Sequence, residues 1–106
     1  MALLHSQAGE VVDIRPLGAE LLNTKTAALI KSEHFEVIRM VLQAGKKVQE
    51  HRTKGEVIVQ CLEGLVHMSM SGSNVELGAG QLLHLNAGQP HALEAIENSS
   101  VLLTIF

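Results

Sequence analysis

Histidine and acidic side chains are the groups of this sequence that could bind a metal ion or orient a ligand. The 106 residues contain six histidines, eleven acidic residues and a single cysteine. Imidazole and carboxylate groups hold a metal ion when they converge on it from different strands. The sequence contains no glycine-rich phosphate loop, no nucleophile elbow and no Ser/His/Asp order, so it does not indicate phosphoryl transfer or serine-type hydrolysis.

The pattern around each histidine or cysteine separates candidates from ordinary structural residues. His67 and His84 stand beside apolar residues on predicted strands, and strand alternation turns both outward or toward a contact between sheets. Cys61 shares a face with Val57 and Val59, which is typical of a small apolar filler. A reactive cysteine would need an exposed, electropositive setting that its neighbours do not provide.

Short apolar runs that alternate with polar residues and end at Gly or Asn dominate the chain beyond residue 34. They predict half-buried strands joined by tight turns. The predicted strands are His34 to Leu42, Val57 to Leu62, Leu65 to Met70, Leu82 to Leu85 and Val101 to Phe106, with a turn at residues 71–74. Strands at this spacing indicate an all-β sandwich or barrel.

The first third of the chain is less regular. We predict a possible strand at Val11 to Ile14, a helical turn after Pro16 and a clearer strand at Thr26 to Ile30. No repeat, low-complexity tract or linker divides the chain, and its length supports one core only. Residues 1–106 are therefore predicted to form a single domain.

Two motifs occur in order, separated by one predicted hairpin. Residues 45–64 are GKKVQEHRTKGEVIVQCLEG, and residues 80–91 are GQLLHLNAGQPH. The first resembles the first conserved motif of cupins, and the second resembles their second motif. The resemblance implies a single cupin barrel, also called a double-stranded β-helix or jelly roll. Its core would span about 34–106, after an irregular segment at 1–33.

The resemblance also implies a metal site, but this chain keeps only part of it. In cupins the first motif supplies two His and a Glu, the second supplies another His, and together they hold a divalent metal inside the barrel. His51 and His91 match two of these ligands. Thr53 stands where the second His belongs, and Val57 stands where the Glu belongs. A divalent metal is therefore possible, but its site is incomplete.

Glu56 is the weak candidate for a replacement ligand, because it is adjacent to the missing glutamate position. A one-residue slip in the hairpin could turn its carboxylate inward. Strand alternation argues against that slip, since it places Val57 and Val59 on one face and Glu56 on the other.

The matched histidines and their neighbours predict a pocket that is polar at one end and apolar at the other. The predicted pocket residues are His51, Thr53, Val57, Val59, Cys61, His91 and Leu93. The favoured hypothesis is a small-molecule-binding barrel without chemistry, because a catalytic metal normally needs three protein ligands. The alternative is a metal-dependent enzyme of the dioxygenase or isomerase type, which the resemblance allows, using His51 and His91.

Charge and composition limit the partners. The formal net charge is −3 and the chain has no basic block, so a nucleic-acid partner is not expected. No apolar run is long enough to cross a bilayer. The lone Cys61 and the start Met1 to His5, which lacks the features of a signal peptide, favour a cytoplasmic protein.

The apolar patches of the N-terminal third predict a homodimer. They lie at Val11-Val12, Leu21-Leu22 and Ala27 to Ile30, and together they exceed what one small barrel needs to cover its own core. Residues 1–33 are therefore expected to contribute to the dimer contact.

Overall fold

The computed structural model describes residues 5–106, and antiparallel β-structure dominates them. Met1 to Leu4, which entered the signal-peptide prediction, lie outside the described residues. A 3₁₀ helix spans Gly18–Asn23. The strands are β1 (Ala27–Lys31), β2 (Glu36–Leu42), β3 (Lys47–His51), β4 (Val57–Glu63), β5 (Leu65–Met70), β6 (Ser73–Gly78), β7 (Leu82–Leu85), β8 (His91–Ala95) and β9 (Ser99–Ile105). The all-β prediction is confirmed.

The strands form two sheets that face each other across one core. One sheet has the order β1-β2-β9-β4-β7, and the other has the order β3-β8-β5-β6. Neighbouring strands are antiparallel throughout both sheets. In β4 the burial alternates, with Val57, Val59 and Cys61 buried and the residues between them half-buried. This alternation points one face of each strand into the space between the sheets.

Gly64 carries the chain from one sheet to the other. It is the single residue between β4 and β5, and its φ of +90° lies in the left-handed region. A Cβ at this position would lie 2.2 Å from the Ser99 hydroxyl oxygen and 2.4 Å from the Asn98 carbonyl oxygen. Only glycine permits both the backbone conformation and this close approach.

The strands predicted beyond residue 34 are present, with ends that shift by one or two residues. β1 matches the strand predicted at Thr26 to Ile30, and the 3₁₀ helix matches the helical turn predicted after Pro16. The strand predicted at Val11 to Ile14 is wrong. Val11 is 97% exposed, and this stretch forms no regular element. Its apolar residues therefore do not indicate a strand.

Three strands were not predicted, namely β3, β6 and β8. β3 and β6 are mostly exposed and polar, so neither shows the apolar alternation that identifies a half-buried strand. The turn predicted over residues 71–74 is shorter in the structure, since β6 begins at Ser73 and pairs it with Met70. Gly72, with φ of +75°, makes the tight turn possible.

Glu63 ties the N-terminal segment to the barrel. Its carboxylate accepts hydrogen bonds from the backbone N–H of Leu17 at 2.6 Å and of Gly18 at 3.1 Å. The Ser100 hydroxyl donates a third bond at 2.7 Å. Burial alone would raise the pKa of Glu63, but these hydrogen bonds outweigh it and the pKa is lowered from its ordinary value.

Replacing Glu63 with Gln should therefore weaken the fold. The amide nitrogen cannot accept a hydrogen bond, so at least one of the three donors loses its partner. We expect a loss of about 1–2 kcal/mol, seen as a melting temperature several degrees lower by circular dichroism at neutral pH. Glu76→Gln, on the exposed face of β6, is the control and should not change the melting temperature.

The effect of Glu63→Gln should also depend on pH. Because the folded-state pKa of Glu63 is lowered, its contribution is complete above the unfolded-state value near 4.5 and disappears as pH falls through the lower folded-state value. The gap in melting temperature between wild type and variant should thus narrow below pH 4.5. A gap that stays constant down to acidic pH would show that the charge of Glu63 does not stabilise the fold.

Candidate functional site

The two candidate histidines meet across a pair of neighbouring strands. His51 is the last residue of β3, His91 is the first residue of β8, and the two are directly opposite each other in the ladder. Their ring centroids are 4.3 Å apart, with the ring planes at 61°. His91 is 7% exposed, whereas His51 is exposed. The pair therefore occupies the boundary between the barrel interior and solvent.

A β-bulge in β3 turns His51 inward. Val48 pairs with Leu93, and His51 pairs with His91, so three steps along β3 match two steps along β8. Strict alternation from the inward-facing Val48 would have placed Glu50, and not His51, on the inner face. The extra residue corrects this and brings the imidazole to the same side as Val48.

Hydrogen bonds to the backbone fix the tautomer of both rings. The Nδ1 atom of His51 lies 3.1 Å from the carbonyl oxygen of Gln49, and that of His91 lies 2.9 Å from the carbonyl oxygen of Gln89. A carbonyl oxygen can only accept, so Nδ1 must carry the proton in each ring. In the neutral form both Nε2 atoms then present a lone pair.

A small cavity extends from the histidine pair into the barrel. Its volume is about 30 Å³, which is room for one or two water molecules. Six of the seven predicted pocket residues line it, namely His51, Thr53, Val57, Val59, His91 and Leu93. The structure brings these residues together from β3, β4 and β8 and the loop that follows β3.

Cys61 does not line this cavity, in contrast to the prediction. It is fully buried two residues beyond Val59, and its thiol donates a weak hydrogen bond to the Glu63 carbonyl oxygen at 3.4 Å. Burial raises the pKa of the Cys61 thiol, which keeps it protonated and unreactive. The residue shares the inner face as predicted but lies deeper in the core, where it serves as a filler.

The remaining cavity walls come from residues that sequence reasoning missed. They are Met40 on β2, Val48 on β3, Met68 on β5, and Leu103 and Ile105 on β9. Alternation identifies each as an inward residue of its strand, but only the pairing of strands shows which inward residues reach this end of the barrel. Among residues 5–106, no Asp, Glu, Lys or Arg lines the cavity, so its two histidines are the only ionisable groups in the described walls.

Glu56 is not a third ligand of the pair. Its carboxylate lies 2.5 Å from Nε2 of His84, and both side chains are more than half exposed. Glu56 and His84 thus form a surface pair on the outer face of the five-stranded sheet. His67 also points away from the cavity and lines a separate shallow depression with Lys47 and Glu94.

The donor set does not fit the divalent metal that the sequence resemblance implies. In the part of the chain that the structure describes, no group of three or more His, Cys, Asp or Glu side chains is placed to hold a metal ion. Thr53 lines the cavity, but its hydroxyl donates to the carbonyl oxygen of Gly55 at 2.9 Å. Two neutral imidazoles are left, whereas hard or borderline divalent ions favour at least three nitrogen or carboxylate ligands.

Known proteins share both the sequence pattern and the architecture. A family model described as a cupin domain matches residues 38–106. A conserved protein of unknown function from Streptococcus pyogenes has a TM-score of 0.75 at 22% identity, covering 94% of this chain and 89% of that one. A cupin superfamily protein from Desulfitobacterium hafniense has a TM-score of 0.78 at 19% identity, with coverages of 95% and 98%.

An enzyme also appears among the structural neighbours. A variant of salicylate 1,2-dioxygenase from Pseudoaminobacter salicylatoxidans has a TM-score of 0.64 at 20% identity, covering 67% of this chain and 20% of that one. No curated protein matches the chain. At these identities the solved structures support a likeness of fold and do not assign an activity. Within the described residues, no helix is long and apolar enough to cross a membrane.

The fixed tautomers can be measured directly. In nitrogen-15 NMR spectra of the neutral imidazoles, we expect His51 and His91 each to carry the proton on Nδ1, because the Gln49 and Gln89 carbonyls accept from it. His34, which is exposed and makes no ring hydrogen bond in the described part of the chain, should exchange between tautomers. A proton on Nε2 of His51 or His91 would contradict the arrangement.

Proposed function

We propose that this chain, which belongs to the cupin domain family, binds a small molecule by accepting hydrogen bonds from it at the Nε2 atoms of His51 and His91. The observation that carries the proposal is that both Nδ1 atoms are already committed to backbone carbonyls. Both Nε2 atoms are therefore left with a lone pair, on two rings that line the same cavity. The ligand group that suits them is a neutral donor, such as a hydroxyl, amine or amide N–H.

The charge of the cavity walls supports a neutral ligand over an anion. A carboxylate has no proton to donate to the two Nε2 lone pairs, and no Lys or Arg of the described chain lines the cavity to balance its charge. Burying an unpaired charge is far more costly than burying a hydrogen-bonded neutral group. We therefore narrow the ligand class to hydrogen-bond donors, with carboxylates disfavoured.

The cavity volume limits how much of the ligand enters the barrel. A cavity of about 30 Å³ is roughly tenfold smaller than the smallest typical pockets for whole organic ligands, about 300 Å³. One functional group can therefore enter the cavity, and the rest of the ligand must lie outside. His51 lines the cavity and is exposed, so it can contact both parts of the ligand.

A metal-dependent enzyme remains the alternative, but no specific contact of the described residues favours it. Its mechanism would need a third ligand near His51 and His91, and Glu56 is engaged with His84 on the outer face. The enzyme among the structural neighbours shares the fold at 20% identity, which does not transfer its reaction to this chain. The ligand-binding proposal uses only groups that the site presents.

A thermal-shift comparison tests the proposed ligand class. We expect short primary alcohols and amides at millimolar concentration to raise the melting temperature, whereas carboxylates of the same chain length should not. His91→Ala should weaken binding of the alcohols about tenfold, the effect of losing one hydrogen bond of about 1.4 kcal/mol. His67→Ala is the matched control, because His67 lies outside the cavity.

The thermal shifts of the variants separate binding from folding. If the alcohol-induced shifts were equal in wild type, His91→Ala and His67→Ala, the cavity would not be the binding site. If the carboxylates gave the larger shifts, the assignment of a neutral donor would be wrong. Circular dichroism of His91→Ala should retain the wild-type spectrum, since the core consists of aliphatic residues on both sheets.

We also propose that the protein forms a homodimer through its N-terminal segment and β1. Val11 is 97% exposed and Leu22 is 58% exposed, although Leu21 is buried within the chain. β1 is the edge strand of the five-stranded sheet, and its Leu29 carbonyl oxygen accepts a hydrogen bond from the Ser6 N–H of the N-terminal segment at 2.9 Å. Exposed apolar side chains on this segment support a contact with a second copy.

Light scattering tests this assembly. We expect the mass of a dimer at micromolar concentration, and Val11→Asp combined with Leu22→Asp should shift the protein toward the monomer because burying the new charges is costly. Leu82→Asp, at the opposite edge of the same sheet, is the control and should leave the mass unchanged. A wild-type monomer at the same concentration would overturn the proposal.

The free cysteine supports a reducing compartment for this protein. Cys61 is buried and forms no disulfide within the described residues. We propose a cytoplasmic location on this ground together with the composition of the chain.

A further inference from the structure

We propose that the depression between the N-terminal segment and β2 is a second binding site, which takes the phosphate group of a small organic molecule at the guanidinium of Arg39. The depression lies on the outer face of the five-stranded sheet, whereas the cavity of the proposed function lies between the two sheets. The two sites share no lining residue, so this proposal does not depend on the histidine pair.

Strand alternation turns Arg39 to the outer face of β2. The next residue, Met40, lines the cavity between the sheets, so the side chain of Arg39 points the opposite way. The N-terminal segment crosses this face, and the Nη1 atom of Arg39 donates a long hydrogen bond to the Asp13 carbonyl oxygen at 3.4 Å. Arg39 is therefore half-buried between the sheet and the segment.

The hydrogen-bonding capacity of Arg39 is mostly unused by the described chain. A guanidinium group has five N–H donors. Within residues 5–106, the long bond to Asp13 is the one hydrogen bond that Arg39 makes, and its buried Nε atom has no partner. Leaving a buried donor of a charged group unpaired is costly. An acceptor from outside the chain would complete the contacts of this guanidinium.

The carboxylates nearest to Arg39 are already engaged with other groups. Both oxygens of Asp13 accept hydrogen bonds from the Arg15 side chain, at 2.6–3.1 Å. These bonds, with a smaller effect of the Arg39 charge, lower the pKa of Asp13 to about 2. Glu63 is held by its three hydrogen bonds to Leu17, Gly18 and Ser100. In the described part of the chain, no carboxylate oxygen lies within 4 Å of the Arg39 guanidinium.

The size and charge of the depression indicate the class of ligand. Its volume is about 560 Å³, within the range of roughly 300–1,000 Å³ that small organic ligands occupy. Its lining is Asp13, Arg15, Pro16, Leu17, Glu20 and Arg39. A phosphate group carries about −1.5 to −2 charges at neutral pH and has three acceptor oxygens, so it can contact both guanidinium groups. Pro16 and Leu17 offer apolar surface to the organic part of the ligand.

Calorimetric titration with butyl phosphate, in a buffer without other oxyanions, tests the site. Arg39→Lys should weaken binding at least tenfold, because lysine keeps the charge but loses the planar set of donors. Arg52→Lys is the matched control, since Arg52 is exposed and lies outside the depression. Inorganic phosphate should bind more weakly than the ester, because it has no apolar part to cover Pro16 and Leu17.

Two further readouts distinguish binding at Arg39 from a merely structural role of this residue. In nitrogen-15 NMR spectra, the Nε–H signal of Arg39 should shift in a saturable manner as butyl phosphate is added. Glu20→Gln should strengthen binding several-fold, because it removes a negative charge from the lining. A loss of stability cannot produce this gain in affinity.

Several outcomes would overturn the assignment of this site. They are an Arg39 Nε–H signal that does not respond to butyl phosphate, equal affinities in Arg39→Lys and Arg52→Lys, or weaker binding by Glu20→Gln. Equal affinity for inorganic phosphate and the ester would show that the ligand is the free ion. Failure of the proposed function would leave this site intact, because His91→Ala should bind butyl phosphate as wild type does, and Arg39→Lys should keep the alcohol-induced thermal shift.

Discussion

The β3–β8 ladder is the constraint on which the site depends. A bulge adds one residue to β3 between Val48 and His51. His51 is therefore placed opposite His91 on β8. The carbonyl oxygens of Gln49 and Gln89 then accept hydrogen bonds from the Nδ1 atoms of the two rings. Because each carbonyl lies two residues before its histidine, one local arrangement of backbone and ring occurs twice. The positions and the tautomers of both imidazoles follow from it.

The rest of the barrel determines which ligand groups can contact the Nε2 lone pairs of His51 and His91. β4 contributes Val57 and Val59, and β9 contributes Leu103 and Ile105, so the cavity behind the imidazoles is apolar. Glu56, which directly precedes β4, is held on the outside by His84. An apolar space whose described walls hold no carboxylate suits a neutral hydrogen-bond donor. A site with these walls is poorly matched to the hard divalent chemistry that the motif pattern implies.

The sequence predicts the architecture and most of the site for identifiable reasons. The alternation of β4 and β5 and the paired motifs indicate an all-β barrel, and alternation alone is enough to identify the inner face of β4. β3 and β6 escape prediction because they are mostly polar and exposed, and their stability comes from pairing with neighbours. The bulge is also invisible in the sequence, although it decides whether His51 or Glu50 faces inward. Met40 and Met68 are predictable as core residues, but their shared cavity depends on how the two sheets face each other.

A high-resolution crystal structure of the protein as purified, without chelator or added metal, tests the central claim most directly. We expect both Nδ1 atoms to hydrogen-bond to the Gln49 and Gln89 carbonyls, and we expect density between the two Nε2 atoms that contacts no carboxylate. Imidazoles turned away from each other, or density coordinated by Glu56, would contradict it.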